Sequence, residues 1–404
     1  MKFNLLAFSI PFFVLLICLE YYLLKKKNKE SFNIHNVISN VSVGIAERLC
    51  DVFLASIFFG VYTYLQQHYG LFTIKPALTL WILLFIATDF VWYWYHRLAH
   101  EINILWAVHI VHHQSEEFNF TVSARITVLQ GIIRGGFWCI LPLLGFPATM
   151  ITSLLLLHGL YPFFLHTRLI GNLGILEYLL VTPSHHRVHH ASNEEYLDKN
   201  YGDVLIIWDK LFGTFQPEEA NKTIVYGLAD PLNTYSFLWQ HFHFFIELWL
   251  AVAKKRTWKE KLLTIFGKPE NVDKQVRKEA EAIFRVKQSL NTIERPLNTY
   301  VIWQIILLLI ALFGFLLLEK NLSLTFSILF TLFTVLTLIN CGAIMEQKKW
   351  VFNIELARAF LILLIPFYYS NLQIVVSVAI AILLFVATKY KYTQNKYLQI
   401  VYRS

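Results

Sequence analysis

The segment Ala77–Glu101, ALTLWILLFIATDFVWYWYHRLAHE, decides the architecture of this chain. Residues 77–95 form an apolar run that carries a single charged side chain, Asp89. About 20 helical residues, rising 1.5 Å each, cross the roughly 30 Å hydrocarbon core of a bilayer. The run ends at His96 and His100, which are four positions apart and therefore share one face of a helix. The segment predicts a membrane-spanning helix with a histidine-bearing end.

The composition extends this prediction to the whole chain. Of the 404 residues, 56% are hydrophobic and only 15% are charged, and the mean hydropathy is +0.50. Soluble domains carry about a quarter charged residues. We therefore predict an all-α fold, a multi-pass helical bundle of about nine spans with a cytoplasmic histidine-rich cap. The nine apolar runs are 3–24, 41–65, 77–95, 126–146, 148–166, 300–318, 322–345, 355–369 and 371–388.

The positive charges predict the orientation of these spans. Lysine and arginine clusters such as Lys25–Lys27 and Lys254–Arg256 lie just outside apolar runs, which is typical of the cytoplasmic side. The basic cluster follows the first run instead of preceding it, so we interpret that run as a retained span and not as a signal peptide. With the N-terminus outside, both histidine stretches are expected in the cytoplasm. The net charge of +8 is explained by anionic headgroups, and we expect no nucleic-acid partner.

The polar residues suggest a division into three parts. Residues 1–182 are expected to form an N-terminal membrane bundle, and residues 183–299 a cytoplasmic region with a helical Lys/Glu-rich stretch near 258–290. Residues 300–404 are expected to form a C-terminal membrane block with little chemistry, as scaffold or lipid-facing support. The four cysteines show no paired spacing, so no disulfide framework is expected.

Nine of the fifteen histidines occupy two short stretches with the spacing of metal ligands. Residues three and four apart share a helix face, so the pattern gives three faces of imidazoles. One transition-metal ion takes four to six donors, so eight imidazoles are too many for one ion and enough for two. The alternative is that each histidine is a satisfied polar residue at a helix end. The expected ligands are His96, His100, His109, His112, His113, His186, His189 and His190.

The remaining seven histidines lie outside this set of eight expected ligands. His185 and His166 are further candidate ligands, His185 because it adjoins the third group and His166 because it lies at the end of the fifth apolar run. His158 lies deeper in that run and is interpreted as a packed polar residue without a role. His35, His68, His241 and His243 are expected at the surface or the membrane interface.

Two acidic residues near the first histidine pair are candidates for supporting roles. A metal-bound histidine usually donates its second ring N–H to a carboxylate or carbonyl. Glu101 directly follows His100, and Asp89 lies about two turns from His96, too far for direct contact on one helix. We therefore expect Asp89 to serve a histidine from another group. For both acids the alternative is a helix-end charge that faces water.

We call the three groups the first box (HxxxH, His96 and His100), the second box (HxxHH, His109, His112 and His113) and the third box (HxxHH, His186, His189 and His190). These boxes resemble those of the fatty acid hydroxylase and sterol desaturase superfamily. Within it, the strings TPSHHRVHH (182–190) and DKNYGDVLIIWDKLFGTF (198–215) look like the alkylglycerol monooxygenase family, as does DFVWYWYHRLAHE (89–101). The resemblance covers about 85–230, which is the expected catalytic region. The flanking spans agree in layout only.

The resemblance implies a membrane monooxygenase with two irons per chain, O₂ as co-substrate, and tetrahydrobiopterin or another external reductant. An electron-donor protein is a further expected partner, and the substrate is expected to be a membrane lipid. Hydroxylation beside the ether oxygen of an alkylglycerol would release a fatty aldehyde and a glycerol derivative. The expected location is the endoplasmic reticulum of a eukaryote or the inner membrane of a bacterium, with the site on the cytoplasmic side. The residues that bind the reductant cannot be assigned from the sequence.

Two alternatives remain at this stage. One is a fatty acid or sterol hydroxylase or desaturase of the same superfamily that acts on another carbon. The other is a membrane metal transporter, although transport sites usually lie near the bilayer midplane on broken helices. Both alternatives use the same histidines, so the pattern alone does not separate them.

Overall fold

The computed structural model describes residues 4–27, 32–75, 77–286, 299–369 and 373–402, and these ranges are predominantly helical. Within them, β-structure is limited to two isolated bridges, Leu180–Leu205 and Ala191–Tyr226. The α-helices are α1 (Ser9–Lys26), α2 (Ile34–Tyr69), α3 (Leu78–Glu101), α4 (Asn103–His109), α5 (Gln130–Phe137), α6 (Ile140–Leu143), α7 (Ala148–Leu165), α8 (Pro183–His189), α9 (Ile207–Phe212), α10 (Phe237–Ala253), α11 (Trp258–Ile265), α12 (Gln275–Ile283), α13 (Thr299–Leu318), α14 (Leu324–Met345), α15 (Val351–Tyr369), α16 (Gln373–Thr388) and α17 (Tyr390–Val401). Short 3₁₀ helices cover Leu5–Phe8, Ile110–Gln114, Phe120–Ala124, Gly174–Tyr178, Glu194–Tyr196, Pro269–Asn271 and Glu319–Asn321.

Five helical segments of the described ranges are long and apolar enough to cross a membrane. They coincide with five of the nine predicted runs, which confirms a helical membrane protein. The runs 41–65 and 355–369 lie in α2 and α15, and residues 373–388 of the last run form α16. The membrane crossing of these three runs stays a prediction. The five candidate spans are Leu5–Lys26, Leu78–Glu101, Ala148–Leu165, Thr299–Asn321 and Leu324–Met345.

The continuous helix expected over residues 126–146 is not observed, because the segment divides into α5 and α6. The break follows Gly135, whose carbonyl accepts a hydrogen bond from the Tyr62 hydroxyl at 2.9 Å. Pro142 lacks an N–H and cannot continue the helical ladder. Gly145 then turns the chain at φ +103, where a Cβ atom would lie 1.9 Å from the Phe72 carbonyl oxygen. These features replace one long helix by two short ones.

The contacts divide the chain into two compact units. The larger unit comprises residues 16–232 and 240–287, and it contains all three histidine boxes. The smaller unit comprises residues 1–15, 233–239 and 288–404. The expected three-part division stays a prediction, but the third box shares a unit with the first two.

An apolar core in the larger unit fixes α3 against α7. Its buried members include Tyr62 of α2, Leu84 and Tyr95 of α3, Trp138 after α5, and Ile151 of α7. The helices α3 and α7 contact each other. The helix that carries the first histidine box therefore packs directly against the helix that precedes His166.

A second apolar cluster supports the segment that carries the middle box. Val43 of α2, Ala107 of α4 and Phe244 of α10 pack around Ile110 and Val111. The Lys/Glu-rich stretch is helical as predicted, in α11 and α12, while its last residues, 287–290, lie outside the described residues.

The smaller unit contains more polar chemistry than the sequence suggested. Glu355 lies within α15 and accepts hydrogen bonds from Arg358, Tyr300 and Asn340. Arg358 is 5% exposed and also donates to Gln304 at 2.5 Å. This buried network joins α13, α14 and α15 within the unit.

Candidate metal centre

Nine buried histidines form two clusters in the larger unit. Within each cluster one ring nitrogen per residue lies within 4.8 Å of all the others. The exposed fractions of the nine residues range from 1% to 8%. These are the eight expected ligands together with His166, one of the two further candidates. The first cluster contains His96, His100, His109, His113 and His189, and the second contains His112, His166, His186 and His190.

The second and third boxes each contribute histidines to both clusters. We had expected the histidines of each box to share one helix face, and this expectation was wrong for these two boxes. Successive helical residues diverge by about 100° because 3.6 residues make one turn. His112 and His113 therefore point into different clusters, and so do His189 and His190. Residues four apart diverge by only about 40°, so His186 and His190 stay together.

Backbone carbonyls fix the tautomer of four of these imidazoles. A carbonyl oxygen only accepts, so each Nδ1 carries the proton and leaves Nε2 with a free lone pair for a metal. The four donors are His96 to Tyr201 O (2.8 Å), His112 to Arg125 O (3.2 Å), His166 to Pro162 O (2.6 Å) and His189 to Lys199 O (2.9 Å).

The spacing of the Nε2 atoms fits bound metal ions. His109 Nε2 lies 3.0 Å from that of His96 and 3.1 Å from that of His113. In the second cluster, His166 Nε2 lies 3.0 Å from that of His186 and 3.2 Å from that of His190. Ligands about 2.1 Å from an ion are separated by roughly 3.0 Å at 90° and 3.4 Å at the tetrahedral angle.

Two further ring nitrogens point to a cation. Nε2 of His100 and Nε2 of His189 are buried and have no hydrogen-bond partner in the described part of the chain. A buried polar atom without a partner costs about 1–3 kcal/mol. A metal ion in the first cluster would give both atoms a partner, so the residues of this cluster fit a bound metal ion.

Burial favours the neutral form of seven of the clustered histidines. Desolvation, reinforced by neighbouring imidazoles, lowers the pKa of His189 to about 3, and desolvation lowers the pKa of His166 to about 4. The same causes hold the pKa well below its usual range for His109, His112, His113, His186 and His190. Neutral imidazole is the form that binds metals.

Two candidate residues lie outside the clusters. His185 Nδ1 accepts a hydrogen bond from Thr182 N at 3.3 Å, so this ring caps the start of α8. The Glu101 carboxylate accepts from Arg97 Nε at 2.9 Å, and Arg97 also donates to the Tyr93 hydroxyl at 3.1 Å. A supporting role for Glu101 stays a prediction, and its route to the site would run through Arg97.

Asp89 is fully buried and does not face water. Its carboxylate accepts hydrogen bonds from Val204 N (2.9 Å), Leu205 N (3.1 Å) and the Trp208 indole (2.9 Å). Contrary to our expectation, these hydrogen bonds come from the loop between α8 and α9 and from the indole, and not from a histidine of another box. Asp89 therefore anchors this loop, which lies beside the first cluster.

His158, which received no role from the sequence, belongs to a third buried group with Asp89 and Asp203. Its Nδ1 lies 2.7 Å from Asp203 Oδ2 and 4.0 Å from Asp89 Oδ1. Because both Asp89 oxygens already accept other hydrogen bonds, we interpret this group as a structural ion pair. It joins α3, α7 and the loop that Asp89 anchors.

Several supporting residues escaped the sequence reasoning. Asn200 and Asp209 are buried and contact the segment beside the first cluster, and Asp203 is buried against His158. All three lie in the quoted string 198–215. The family resemblance of that string was the one sequence signal that pointed to these residues, but it did not indicate the role of any of them. The expectation that His241 and His243 lie at a surface was wrong, because they are 1% and 0% exposed.

The comparisons with known proteins agree with this centre. The fatty acid hydroxylase family model matches residues 81–214, which include all the clustered histidines. The human alkylglycerol monooxygenase is 34% identical over 92% of this chain and 86% of its own length. The zebrafish (Danio rerio) alkylglycerol monooxygenase is 34% identical over 88% of this chain and 80% of its own length. An ornithine lipid hydroxylase of Rhizobium tropici is 27% identical over 49% of this chain and 62% of its own length.

The histidine centre and the family match define the class, a membrane-bound lipid hydroxylase. The chain belongs to the alkylglycerol monooxygenase family. It is therefore an enzyme, a lipid-hydroxylating monooxygenase, and the transporter alternative loses its basis. No solved structure matches the chain.

Proposed function

We propose that this enzyme uses two iron ions to cleave the ether bond of alkylglycerols. One observation carries the proposal. Nine buried histidines form two metal-sized clusters in a chain that matches alkylglycerol monooxygenases over most of its length.

The first cluster would hold one ion through His96, His100, His109, His113 and His189. The second cluster would hold the other through His112, His166, His186 and His190. When bound and reduced, two irons supply the chemistry that activates O₂ for insertion of one oxygen atom into a C–H bond. Iron follows from the family, because imidazoles also suit copper and zinc.

The reaction at the substrate is an oxidation of the carbon next to the ether oxygen. One atom of O₂ enters the C–H bond, and the other leaves as water with two electrons and two protons from an external reductant. The resulting hemiacetal transfers its hydroxyl proton to the ether oxygen as the C–O bond breaks. The products are a fatty aldehyde and a glycerol. Tetrahydrobiopterin or an electron-donor protein would supply the electrons.

The chain itself contributes binding, orientation and exclusion of water. The carbonyls that accept from Nδ1 hold the rings with Nε2 towards the ions, so the ligands need no reorganisation. The burial of all nine rings keeps bulk water from the reacting carbon.

The same geometry supports a site at the membrane surface. His100 lies at the C-terminal end of the candidate span α3, and His166 directly follows the candidate span α7. The helix α7 is about 27 Å long, so its start at Ala148 lies that far from its histidine-bearing end. Gln114 directly follows the second box, and the chain from Gln114 to Ala148 must therefore cross this distance before α7 begins. We propose that the broken segment 126–146 makes this crossing, as one of nine spans below a cytoplasmic histidine-rich cap.

Cysteine labelling tests the orientation. Glu116→Cys and Glu194→Cys place thiols at exposed positions close to the second and third boxes. We expect both thiols to react with an impermeant maleimide only from the cytoplasmic side. Labelling of either one from the opposite side would contradict the proposed cap.

Product analysis tests the reaction. Membranes containing the chain, supplied with a long-chain alkylglycerol, O₂ and tetrahydrobiopterin, are expected to release a fatty aldehyde. With ¹⁸O₂, the label is expected in the aldehyde at early times, before exchange with water. Membranes without the chain serve as the control.

A second candidate is hydroxylation or desaturation of another lipid chain, and the partial match to an ornithine lipid hydroxylase favours it over others. In that case the product would retain the new hydroxyl group or double bond, and no aldehyde would appear. That outcome would overturn ether cleavage and leave the lipid hydroxylase class intact.

A further inference from the structure

One short segment contacts three of the five histidines in the first cluster. We name Asp198–Tyr201, of sequence DKNY, the strap. Each contact involves the Nδ1 atom of a ring, which is the side away from the ion. The contacts are Asp198 Oδ1 to His100 Nδ1 (3.4 Å), Lys199 O to His189 Nδ1 (2.9 Å) and Tyr201 O to His96 Nδ1 (2.8 Å).

The strap has an unusual backbone that one side chain holds in place. Asp198 and Asn200 adopt left-handed conformations, at φ +56 and +55, which asparagine and aspartate tolerate better than most residues. The Asn200 amide donates to the carbonyls of His185 (3.1 Å) and Gln216 (2.7 Å). Its Oδ1 accepts from Gln216 N at 2.9 Å. Asn200 thus ties the strap to α8 and to the segment after α9.

The C-terminal end of the strap is fixed by a buried carboxylate. Asp209 accepts hydrogen bonds from Tyr201 N (2.7 Å), Gly202 N (2.8 Å) and the Thr214 hydroxyl (2.6 Å). These contacts orient the backbone at Tyr201, whose own carbonyl accepts the hydrogen bond from His96 Nδ1. Asp209 therefore acts on His96 through the backbone and does not touch a ring nitrogen itself.

The second cluster depends on other supports. His112 donates to the carbonyl of Arg125, and His166 donates to that of Pro162, one turn earlier in α7. Arg125 is held by Val111 O at 2.7 Å and Asn40 Oδ1 at 3.0 Å. None of these groups belongs to the strap.

We propose that the strap sets ring orientation and metal affinity in the first cluster alone, with Asn200 as its principal positioning residue. This inference rests on the proposed function, because it takes each cluster to bind one ion. It predicts that the two ions can be weakened separately. The strap residues act through the histidines and do not meet the substrate.

Asn200→Gly tests the proposal. Glycine accepts the left-handed backbone without strain, so only the side-chain hydrogen bonds are lost. Loss of groups that support metal ligands typically weakens metal affinity about 10–100-fold. In a chelator titration of the iron-loaded full chain in detergent, we expect one ion to leave at about 10–100-fold lower chelator concentration. The other ion is expected to leave as in the unmodified chain.

The matched control is Asn233→Gly. Asn233 also has a left-handed backbone, at φ +48, but its side chain is exposed and it lies in the smaller unit. We expect both ions to be released as in the unmodified chain. Far-ultraviolet circular dichroism and size-exclusion chromatography would show that both variants keep their fold.

Two backgrounds assign the weakened ion. In His166→Ala only the first-cluster ion is expected to remain, and adding Asn200→Gly should make it about 10–100-fold easier to remove. In His100→Ala the second-cluster ion is expected to remain, and adding Asn200→Gly should leave its release unchanged. If these backgrounds fail to fold, the titration of the single variant still shows whether neither ion, one ion or both ions are weakened, and only the weakening of one ion agrees with the proposal.

The outcomes distinguish a failure of the proposed function from a failure of the proposed role of the strap. A folded, unmodified chain that binds no transition metal would overturn the proposed function. Two ions with unchanged release in Asn200→Gly would overturn the role of the strap, and equal weakening of both ions would overturn its restriction to the first cluster.

Discussion

His189→Ala is expected to reduce turnover by more than about 100-fold, beyond the roughly 10–100-fold cost of losing a group that only supports a ligand. His189 Nε2 is buried in the first cluster without another partner, so alanine removes a donor that nothing nearby replaces. The iron content should fall from two to about one per chain in the presence of a competing chelator. Aldehyde release from an alkylglycerol and iron analysis of the same preparation measure both effects.

The control for this variant is His68→Ala. His68 is exposed at the end of α2 and stacks on Tyr64, with a ring-centroid distance of 4.3 Å. Its loss should leave turnover and iron content unchanged. Normal turnover by His189→Ala would remove this residue from the ligand set.

Asp89→Ala is expected to destabilise the larger unit strongly. Three donors, two of them backbone N–H groups, would lose their acceptor in a site where Asp89 is 0% exposed. Each unsatisfied buried donor costs about 1–3 kcal/mol. The total is a large fraction of the 5–15 kcal/mol that typically stabilises a folded protein. Thermal unfolding in detergent, followed by circular dichroism, should show a midpoint lowered by several degrees.

Asp51→Ala provides the comparison, since Asp51 pairs at 3.0 Å with a half-exposed Arg48. Surface pairs of this kind contribute about 0–1 kcal/mol, so little change is expected. Equal unfolding midpoints for the two variants would show that Asp89 does not anchor the loop.

The sequence predicted which histidines the structure brings together, because their spacing is a local feature of the chain. His96 and His100 share a face over one helical turn, and no distant contact is needed to see it. Their division between two clusters was not predicted, because the direction in which His112 and His113 diverge has meaning only once α8 and α7 are in place. His166 could be proposed only from its position at the end of an apolar run.

The supporting residues were harder to predict for a physical reason. Asn200 lies in a loop and Asp209 in the short helix α9, and both contact backbone atoms of a segment without regular periodicity. Such a sequence does not show which carbonyl meets which ring. The segment 126–146 was predicted as one helix because hydropathy measures apolar content alone. The hydrogen bond from Tyr62 to Gly135, which accompanies the break, joins residues far apart in the chain.

The adjacent histidine pairs have a consequence for the spacing of the two clusters. His112 and His113 belong to different clusters, and so do His189 and His190. Neighbouring Cα atoms are held about 3.8 Å apart by the peptide bond. Two covalent links therefore join the clusters directly and limit how far apart they, and the ions proposed to bind in them, can lie.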